Sequence, residues 1–408
     1  MKRIYFFLAG LLLSVFSFAQ NSGGMVKRPT RGLSTLNSTK TYSTMTKRAP
    51  QKTTNQRTTG YSFADNFHDG YASVRINTKW GLIDNTGKLV IPCKYDSPIS
   101  FNDNRAPICV NRKYGFIDNA GKQVIPCKYD NVSDYNNELA CVESNGRWGF
   151  INKDGYEIIP CKYEHASSFR EGLASVKLNG KWGFINQQGE EVIPCKYESD
   201  MYGGSSGFNE GLACTRLNNK YGYIDKNGKV IISHIYDNAR PFNEGLAPVN
   251  VNGKWGYVDK TGTIVICCKY GNRYNGAYSF HESIACVTLN NKIGYIDKTG
   301  AVIVPCIYDS DPSDFNEGLA RVVRNRKWGF VDKTGHEVIP CKYELVYGFK
   351  EGLAAVKLNE KWGYIDKTGN EVIPCKYNIV NSFSEGYASV EQNGRWYYID
   401  KSGKALKW

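Results

Sequence analysis

The stretch SFREGLASVKLNGKWGFINQQGEEVIPCKY, residues 168–197, decides the fold of this chain. Leu173 to Leu178 is a short alternating run, which is typical of a β-strand. Asn179-Gly180 follows, and Asn-Gly between two such runs predicts a hairpin, because both turn residues take a positive φ. Lys181 to Asn186 is the expected second strand, and Glu191 to Tyr197 is the expected third strand. The stretch therefore predicts a three-stranded antiparallel meander.

The second of these strands carries apolar side chains on both faces. Trp182 and Phe184 point to one face, and Ile185 points to the other. A strand that is covered on both sides cannot belong to an isolated meander. Gly183 lies inside the same strand, where a glycine is tolerated when another backbone or a ring approaches closely. Neighbouring units must therefore supply the second cover.

The chain repeats this unit. The position of Trp182 recurs ten times at steps of 34 to 39 residues, at Trp80, Tyr114, Trp148, Trp182, Tyr221, Trp255, Ile293, Trp328, Trp362 and Trp396. Because one unit cannot bury its own apolar surface, the copies are expected to stack and share a core. The tenth copy ends at ALKW without its third strand and has Tyr397 in place of the glycine, so it is expected to cap the stack.

The repeated phrases KWGYIDKTG, FNEGLA and VIPCKY resemble the WG repeat, the tryptophan–glycine (KWG) family found mainly in bacterial proteins. The resemblance covers residues 67–408 in ten tandem copies. It implies a β-repeat that is used for binding, and it implies no defined chemistry. The expected fold is all-β, with about ten three-stranded antiparallel units in an open β-solenoid or superhelix. A closed β-propeller is the alternative, although ten units exceed the usual number of blades, which is about four to eight.

The N-terminal residues predict export. Residues 1–19 have a basic start, a short apolar run and small residues before Gln20, which is the pattern of a signal peptide. Residues 20–59 are rich in Ser, Thr, Lys and Arg and contain no acid, which predicts a disordered linker before the repeat domain at 60–408. No later stretch is apolar enough to span a membrane, so no transmembrane anchor is expected after signal cleavage. The expected location is periplasmic, cell-surface or secreted.

The basic residues of the N-terminal segment also account for the net charge. The chain carries +13, but residues 1–59 hold ten of its 52 Lys and Arg and none of its Asp and Glu. The repeat domain is therefore nearly neutral, with alternating signs. This distribution does not favour nucleic acid as a partner.

The thirteen cysteines are not spaced like metal ligands. Eight of them share the slot of Cys195, and no Cys-x-x-Cys occurs, so thiols that fill apolar space are expected rather than disulfides or a metal site. The five histidines fall in different slots, and His336 is expected to be exposed in a turn. No cofactor is expected, because no phosphate loop or zinc-protease motif occurs.

The recurring acids and aromatics have structural explanations. A catalytic carboxylate pair occurs once per site, whereas acids such as Glu171 and Asp366 recur in nearly every copy and are expected to hold turns and strand ends. The tryptophan slot accepts Ile293, so it is assigned to the core. Tyr202, Tyr274 and Tyr278, in the two longer spacers between units, are the expected binding residues, since insertions in a solenoid gather on one face.

These patterns predict an exported, non-enzymatic repeat protein. It is expected to bind a protein or a glycan of the cell envelope by many weak contacts along a repetitive surface. A glycan-active enzyme and a purely structural spacer are the alternatives.

Overall fold

A computed structural model describes residues 60–136, 138–199, 207–271, 276–309 and 313–406. All of them belong to one compact unit that spans residues 57–408. The expected signal peptide at 1–19, the expected linker at 20–59, and the candidate residues Tyr202 and Tyr274 lie outside the described residues.

The first five repeats, numbered here as modules in chain order, supply eighteen strands. They are β1 (Phe63–Ala64), β2 (Tyr71–Ile76), β3 (Lys79–Asp84) and β4 (Leu89–Tyr95) in module 1; β5 (Arg105–Val110), β6 (Lys113–Asp118) and β7 (Gln123–Tyr129) in module 2; β8 (Asn131–Val132), β9 (Leu139–Ser144), β10 (Arg147–Asn152) and β11 (Glu157–Tyr163) in module 3; β12 (His165–Ala166), β13 (Ala174–Leu178), β14 (Lys181–Ile185) and β15 (Glu191–Tyr197) in module 4; and β16 (Leu212–Leu217), β17 (Lys220–Asp225) and β18 (Val230–Tyr236) in module 5.

The remaining modules continue the same pattern. Their strands are β19 (Asn238–Ala239), β20 (Leu246–Val251), β21 (Lys254–Asp259) and β22 (Ile264–Tyr270) in module 6; β23 (Ile284–Leu289), β24 (Lys292–Asp297) and β25 (Val302–Tyr308) in module 7; β26 (Leu319–Arg324), β27 (Lys327–Asp332) and β28 (Glu337–Tyr343) in module 8; β29 (Leu345–Val346), β30 (Leu353–Leu358), β31 (Lys361–Asp366) and β32 (Glu371–Tyr377) in module 9; and β33 (Ile379–Val380), β34 (Tyr387–Gln392) and β35 (Arg395–Asp400) in module 10.

Each module is one antiparallel sheet of three or four strands, in sequence order. In module 4, Val176 pairs with Gly183, and Phe184 pairs with Ile193. The three long strands of a module, such as β13, β14 and β15 in module 4, are its first, second and third strands, and some modules add a two-residue strand before them. The third strand has a strand partner on one side only, so it forms an edge of its sheet. The prediction of an all-β fold built from ten tandem antiparallel units is confirmed. In the part of the chain that the structure describes, no helix is long and apolar enough to cross a membrane.

The hairpin turn of module 4 has the conformation that its sequence predicts. Asn179 has a φ of 51°, and Gly180 has a φ of 74°. Two consecutive residues with positive φ are the mark of the type I′ turn, which matches the right-handed twist of the flanking strands. The local sequence therefore sets the register in which the first and second strands pair.

Consecutive modules share their cores. One apolar cluster joins Leu173, Trp182, Phe184, Ile193 and Tyr197 of module 4 to Phe208, Ala213 and Ile224 of module 5. A second cluster joins modules 5 and 6 in the same way, through Tyr223 and Ile232 on one side and Phe242 and Val258 on the other. The expectation that stacked copies cover each other is confirmed.

The glycine that follows the tryptophan is packed against backbone. A Cβ atom added to Gly183 would lie 2.5 Å from the carbonyl oxygen of Ile193 and 2.7 Å from the amide nitrogen of Cys195. Close approach of another backbone was the expected reason for this glycine, and the approaching strand is the third strand of the same module. That strand bulges over the glycine, because the ladder shifts register between the pairs Trp182–Tyr197 and Phe184–Ile193.

The first and last modules meet in the way that consecutive modules meet. Tyr61 pairs with Trp396, as Tyr197 pairs with Trp182 inside module 4. Tyr398 Oη donates to the carbonyl oxygen of Asp65 at 2.6 Å, and the equivalent tyrosine of module 9, Tyr364, donates to Asn381 O at 2.7 Å. The N–H of Gly70 donates to Glu385 at 2.9 Å, as the N–H of Gly386 donates to Glu351 at 3.0 Å. The array is therefore closed end to end.

This closure selects between the two arrangements that the sequence allowed. The modules form the closed, propeller-like alternative in place of the open superhelix, because Tyr61 pairs with the second strand of module 10 and the apolar cores of modules 1 and 10 are shared. The truncated last module consequently has a neighbour and does not cap an open end, which corrects that expectation. Its third strand is built from two pieces: Ala405 pairs with Ile399, and Tyr61 pairs with Trp396. Tyr397 replaces the glycine opposite the junction of these pieces, where its hydroxyl donates to Gln392 at 2.8 Å.

Candidate binding surface

The recurring glutamates join neighbouring modules. Glu351 in module 9 accepts a hydrogen bond from the N–H of Gly386 in module 10 at 3.0 Å and lies 3.1 Å from Lys401 Nζ. Glu317 makes the same two contacts one module earlier, with Gly352 and Lys367. These carboxylates act as acceptors that hold one module to the next.

The recurring aspartates stabilise the turn between the second and third strands. Asp366 Oδ1 accepts hydrogen bonds from Thr368 N at 2.9 Å, Thr368 Oγ1 at 2.7 Å and Asn370 N at 3.0 Å. These bonds favour the ionised carboxylate, so they hold the pKa of Asp366 below its usual range, with the Thr368 hydroxyl as the largest cause. The structural interpretation of the repeated acids is confirmed for these turns.

The tryptophan slot lies in the core, as expected. Seven of its ten residues are buried, and Trp80, Tyr114 and Trp148 are half-buried. His165 lies between Trp148 and Trp182, with ring-centroid distances of 5.5 and 5.4 Å. These indoles are used for packing between modules, which leaves little tryptophan surface for stacking on a sugar ring.

Tyr278 is the candidate residue that the structure describes. It is half-buried and packs against the apolar cluster shared by modules 7 and 8. The guanidinium of Arg240 lies over its ring at 4.9 Å and over the ring of Trp255 at 5.2 Å. Its carbonyl oxygen accepts a hydrogen bond from Tyr257 Oη at 2.8 Å. Arg240 therefore covers one face of the Tyr278 ring, and a binding role for Tyr278 stays a prediction.

All thirteen cysteines lie in the described part of the chain, and none forms a disulfide bond. The expectation of thiols is confirmed, although most of these side chains are half-buried and Cys267 is exposed. In the shared slot, Cys161 Sγ lies 3.8 Å from the carbonyl oxygen of Val142. Burial, together with the charge of Glu157, raises the pKa of Cys161 to about 11, so its thiol stays protonated at neutral pH and is a poor nucleophile.

The histidines remain dispersed. His336 is exposed, as expected, and His165 is stacked between indoles. His234 Nε2 lies 2.9 Å from Thr215 Oγ1, and burial lowers the pKa of its imidazole. Among the described residues, no three His, Cys, Asp or Glu side chains are grouped so that they could hold a metal ion.

A polar cleft opens between modules 2 and 3. Its lining residues are Lys128, Tyr129, Ser144, Asn145, Arg147, Glu157 and Cys161. Ser144 is the small side chain at this position of the module, which holds Leu178 in module 4 and Arg324 in module 8. In module 8, Arg324 fills the equivalent space and pairs with Glu337 at 2.6 Å. The lining holds two cationic side chains, Lys128 and Arg147, and one carboxylate, Glu157, which accepts a hydrogen bond from the N–H of Cys161 at 2.8 Å. This geometry suits a small polar ligand and supplies no pair of catalytic carboxylates.

The third strands carry most of the exposed aliphatic surface. Their residues follow a common burial pattern in which the third and seventh residues are buried and the first, second, fourth and sixth face solvent. Among the described residues, sixteen large hydrophobic side chains are exposed, and twelve of them lie on these strands: Leu89, Val90, Ile158, Val192, Val230, Ile231, Ile235, Ile264, Val265, Val302, Ile307 and Val372. Exposed apolar residues that recur on a sheet edge are typical of an interaction surface.

A family model for the WG-containing repeat matches the chain ten times in succession, from residue 60 to residue 396. The chain belongs to the WG-containing repeat family. The first match ends at Trp80, and each later match runs between successive tryptophan slots, so it contains the second and third strands of one WG module and the first strand of the following module. No curated protein matches the chain.

Several solved structures are similar to the array of WG modules. A eukaryotic initiation factor is 10% identical and covers 83% of this chain and 96% of its own, with a TM-score of 0.49. BamB from Moraxella catarrhalis is 10% identical, covering 58% of this chain and 80% of its own, with a TM-score of 0.34. Kluyveromyces lactis Hsv2 is 8% identical, covering 68% and 98%, with a TM-score of 0.33. These similarities are distant and indicate no function for the chain.

The edge strands of the WG modules are the feature that the sequence prediction missed. The signal was present, because aligning the third strands shows aliphatic residues at the first position in modules 1, 5, 6 and 7, where modules 3, 4, 8 and 9 have glutamate. Those aliphatic residues are Leu89, Val230, Ile264 and Val302, and all four are exposed. What the sequence could not show is that this strand forms an edge of its sheet.

Proposed function

We propose that this chain is an exported, non-enzymatic WG-repeat scaffold that binds a protein of the cell envelope through the edge strands of its modules. The observation that carries the proposal is the row of exposed aliphatic residues on the third strands. Aliphatic side chains that are exposed on strand edges suit a protein partner, which can bury them in an apolar contact. A glycan partner would favour exposed aromatic rings, and the WG indoles are largely buried.

A non-enzymatic role is supported by how the acids and thiols are used. The repeated carboxylates accept hydrogen bonds within turns and between modules, as Asp366 and Glu351 do. A glycosidase needs two carboxylates that are available to the substrate, one of them with a raised pKa. Asp366, one of the repeated turn aspartates, has a pKa below its usual range, which suits an acceptor rather than a general acid.

Saturation binding tests this proposal. The tagged chain is titrated onto envelope fractions of the producing organism, half of which have been stripped of surface protein by protease. We expect saturable binding that disappears after proteolysis. Binding that survives proteolysis would indicate a glycan or a lipid, and no saturable binding to either fraction would leave the spacer role. Export is tested separately by sequencing the N-terminus of the mature protein, which is expected to begin at Gln20.

A matched pair of variants assigns the binding to the edge strands. Ile264→Glu combined with Val302→Glu introduces the residue that modules 3, 4, 8 and 9 already carry at this position, so the fold tolerates it. We expect affinity to fall by about tenfold or more, because burying a carboxylate in an apolar contact costs more than about 1.4 kcal/mol. Gln188→Glu places one added carboxylate in an exposed turn, away from the edge strands, and is expected to leave binding unchanged.

A further inference from the structure

The third strand of module 5, β18, lacks both side chains that protect the other edge strands. Proline occupies the fourth position of this strand in modules 1, 2, 3, 4, 7, 8 and 9, and lysine occupies the sixth position in modules 1, 2, 3, 4, 6, 8 and 9. Proline removes a backbone donor from an edge, and an edge lysine resists burial, so both discourage pairing with another strand. In β18 these positions hold Ser233 and Ile235. Of the nine third strands that the structure describes, β18 alone lacks both.

The surface of β18 is correspondingly apolar. Val230 is 46% exposed, Ile231 is 37% exposed and Ile235 is 61% exposed. The strand contains no charged side chain from Val230 to Tyr236. It keeps the bulge that the third strands share, between the pairs Tyr221–Tyr236 and Tyr223–Ile232, so its edge is irregular.

The sequence of β18 is complementary to itself in the antiparallel direction. When two copies of the strand are related by a two-fold axis through Ser233, Ile231 of one copy lies opposite Ile235 of the other, twice over. The residues that flank the strand then oppose each other with opposite charge, because Lys229 lies across from Asp237 of the second copy. In module 4 the same operation would place Glu190 opposite Glu198, which is repulsive.

We propose that β18 is a homodimerisation edge, at which two copies of this chain pair antiparallel about a two-fold axis through Ser233. In the dimer, the two Ile231–Ile235 pairs cover each other on the face that is exposed in the monomer. The two Lys229–Asp237 pairs lie at the ends of the paired strands. Asp237 already accepts the N–H of Asn252 at 2.7 Å and pairs with Lys220 at 2.6 Å, so its carboxylate is held in place for the incoming lysine. One seven-residue strand from each copy makes a small interface, so the dimer is expected to be weak and to depend on concentration.

Sedimentation velocity over a concentration series tests the pairing on the purified full chain. The wild-type protein is expected to shift from monomer to dimer as its concentration rises. Ser233→Pro and Ile235→Lys each introduce the residue that most other modules carry, so the fold tolerates both. Each variant is expected to raise the dissociation constant by about tenfold or more, the first by removing an edge donor and the second by setting two ammonium groups in the interface.

Ile307→Lys in β25 is the matched control. It makes the same chemical change at the same strand position, but in a strand that already carries Pro305, so dimerisation is expected to be unchanged. Hydrogen exchange on the wild-type protein adds a measurement that needs no variant, since the amides of β18 are expected to gain protection as concentration rises. A chain that stays monomeric, or a dimer that persists in both Ser233→Pro and Ile235→Lys, would overturn the proposal. So would a β18 edge that captures a strand of a different protein while the chain itself stays monomeric. These outcomes are independent of envelope binding, which uses other modules in its test.

Discussion

Removing one phenylalanine at the junction of the chain ends tests whether the array is closed. Phe67 is completely buried, and its ring lies 4.8 Å from that of Tyr398, more than three hundred residues away in the sequence. The equivalent pair inside the array is Phe349 with Phe330, also at 4.8 Å and with both rings fully buried. Because the two environments match, Phe67→Ala and Phe349→Ala are expected to cost the same free energy of unfolding, about 3–5 kcal/mol each.

The measurement has two parts. Urea denaturation followed by tryptophan fluorescence gives the loss of stability, and native-state hydrogen exchange shows where it falls. In a closed array, Phe67→Ala also lowers the protection of β34 and β35 in module 10, because the cavity opens next to Tyr398. In an open array the first module would fray by itself, and module 10 would be untouched.

The closed array is refuted by a specific pair of results. In the first result, Phe67→Ala lowers the free energy of unfolding by less than about 1 kcal/mol, as a surface substitution would, while Phe349→Ala lowers it by the full expected amount. Amide exchange in β35 would also be the same in Phe67→Ala and wild type. Tyr398→Phe is a check from the other side of the junction, since it keeps the ring, removes the hydroxyl that donates the 2.6 Å hydrogen bond to Asp65 O, and is expected to cost about 1 kcal/mol.

Three further predictions follow from the modules. Gly329→Ala is expected to destabilise the chain by about 1–3 kcal/mol in denaturation experiments, because its Cβ would lie 2.4 Å from Ile339 O. Tyr397→Gly creates no such clash and is expected to lose the hydrogen bond to Gln392 and the ring contact with Tyr377. The pKa of Asp366 is lower in the folded state than in the unfolded chain. The ionised carboxylate therefore contributes its full stabilisation above the unfolded pKa of about 3.9, and this contribution is lost as pH falls through the folded pKa. When stability is measured during acid titration, Asp366→Ala is expected to lose less stability below a pH of about 4 than the wild-type chain loses. Under native conditions a maleimide is expected to label exposed Cys267 and to leave Cys286 unmodified, because burial raises the pKa of the Cys286 thiol and covers its sulfur; equal labelling of both would contradict the packing.

The module itself was predictable from its own residues. Asn179-Gly180 determines the hairpin and its register, because only residues that tolerate a positive φ fit that turn. The apolar residues on both faces of β14 require a neighbour on each side, which led directly to shared cores. Repetition made these inferences strong, since ten copies show which side chains each position accepts.

The sequence by itself thus determined the all-β class, the strands of each module, the number of modules and the structural use of the repeated acids and indoles. The tertiary structure decided that the array closes, because closure depends on the small rotation from one module to the next, which no local pattern encodes. It also decided that Tyr61 completes the last sheet and that Tyr397 lies at the resulting junction. The exposed edge could not be assigned earlier for the same reason: an aliphatic residue such as Ile235 belongs to a core or to a binding surface according to what lies beside its strand.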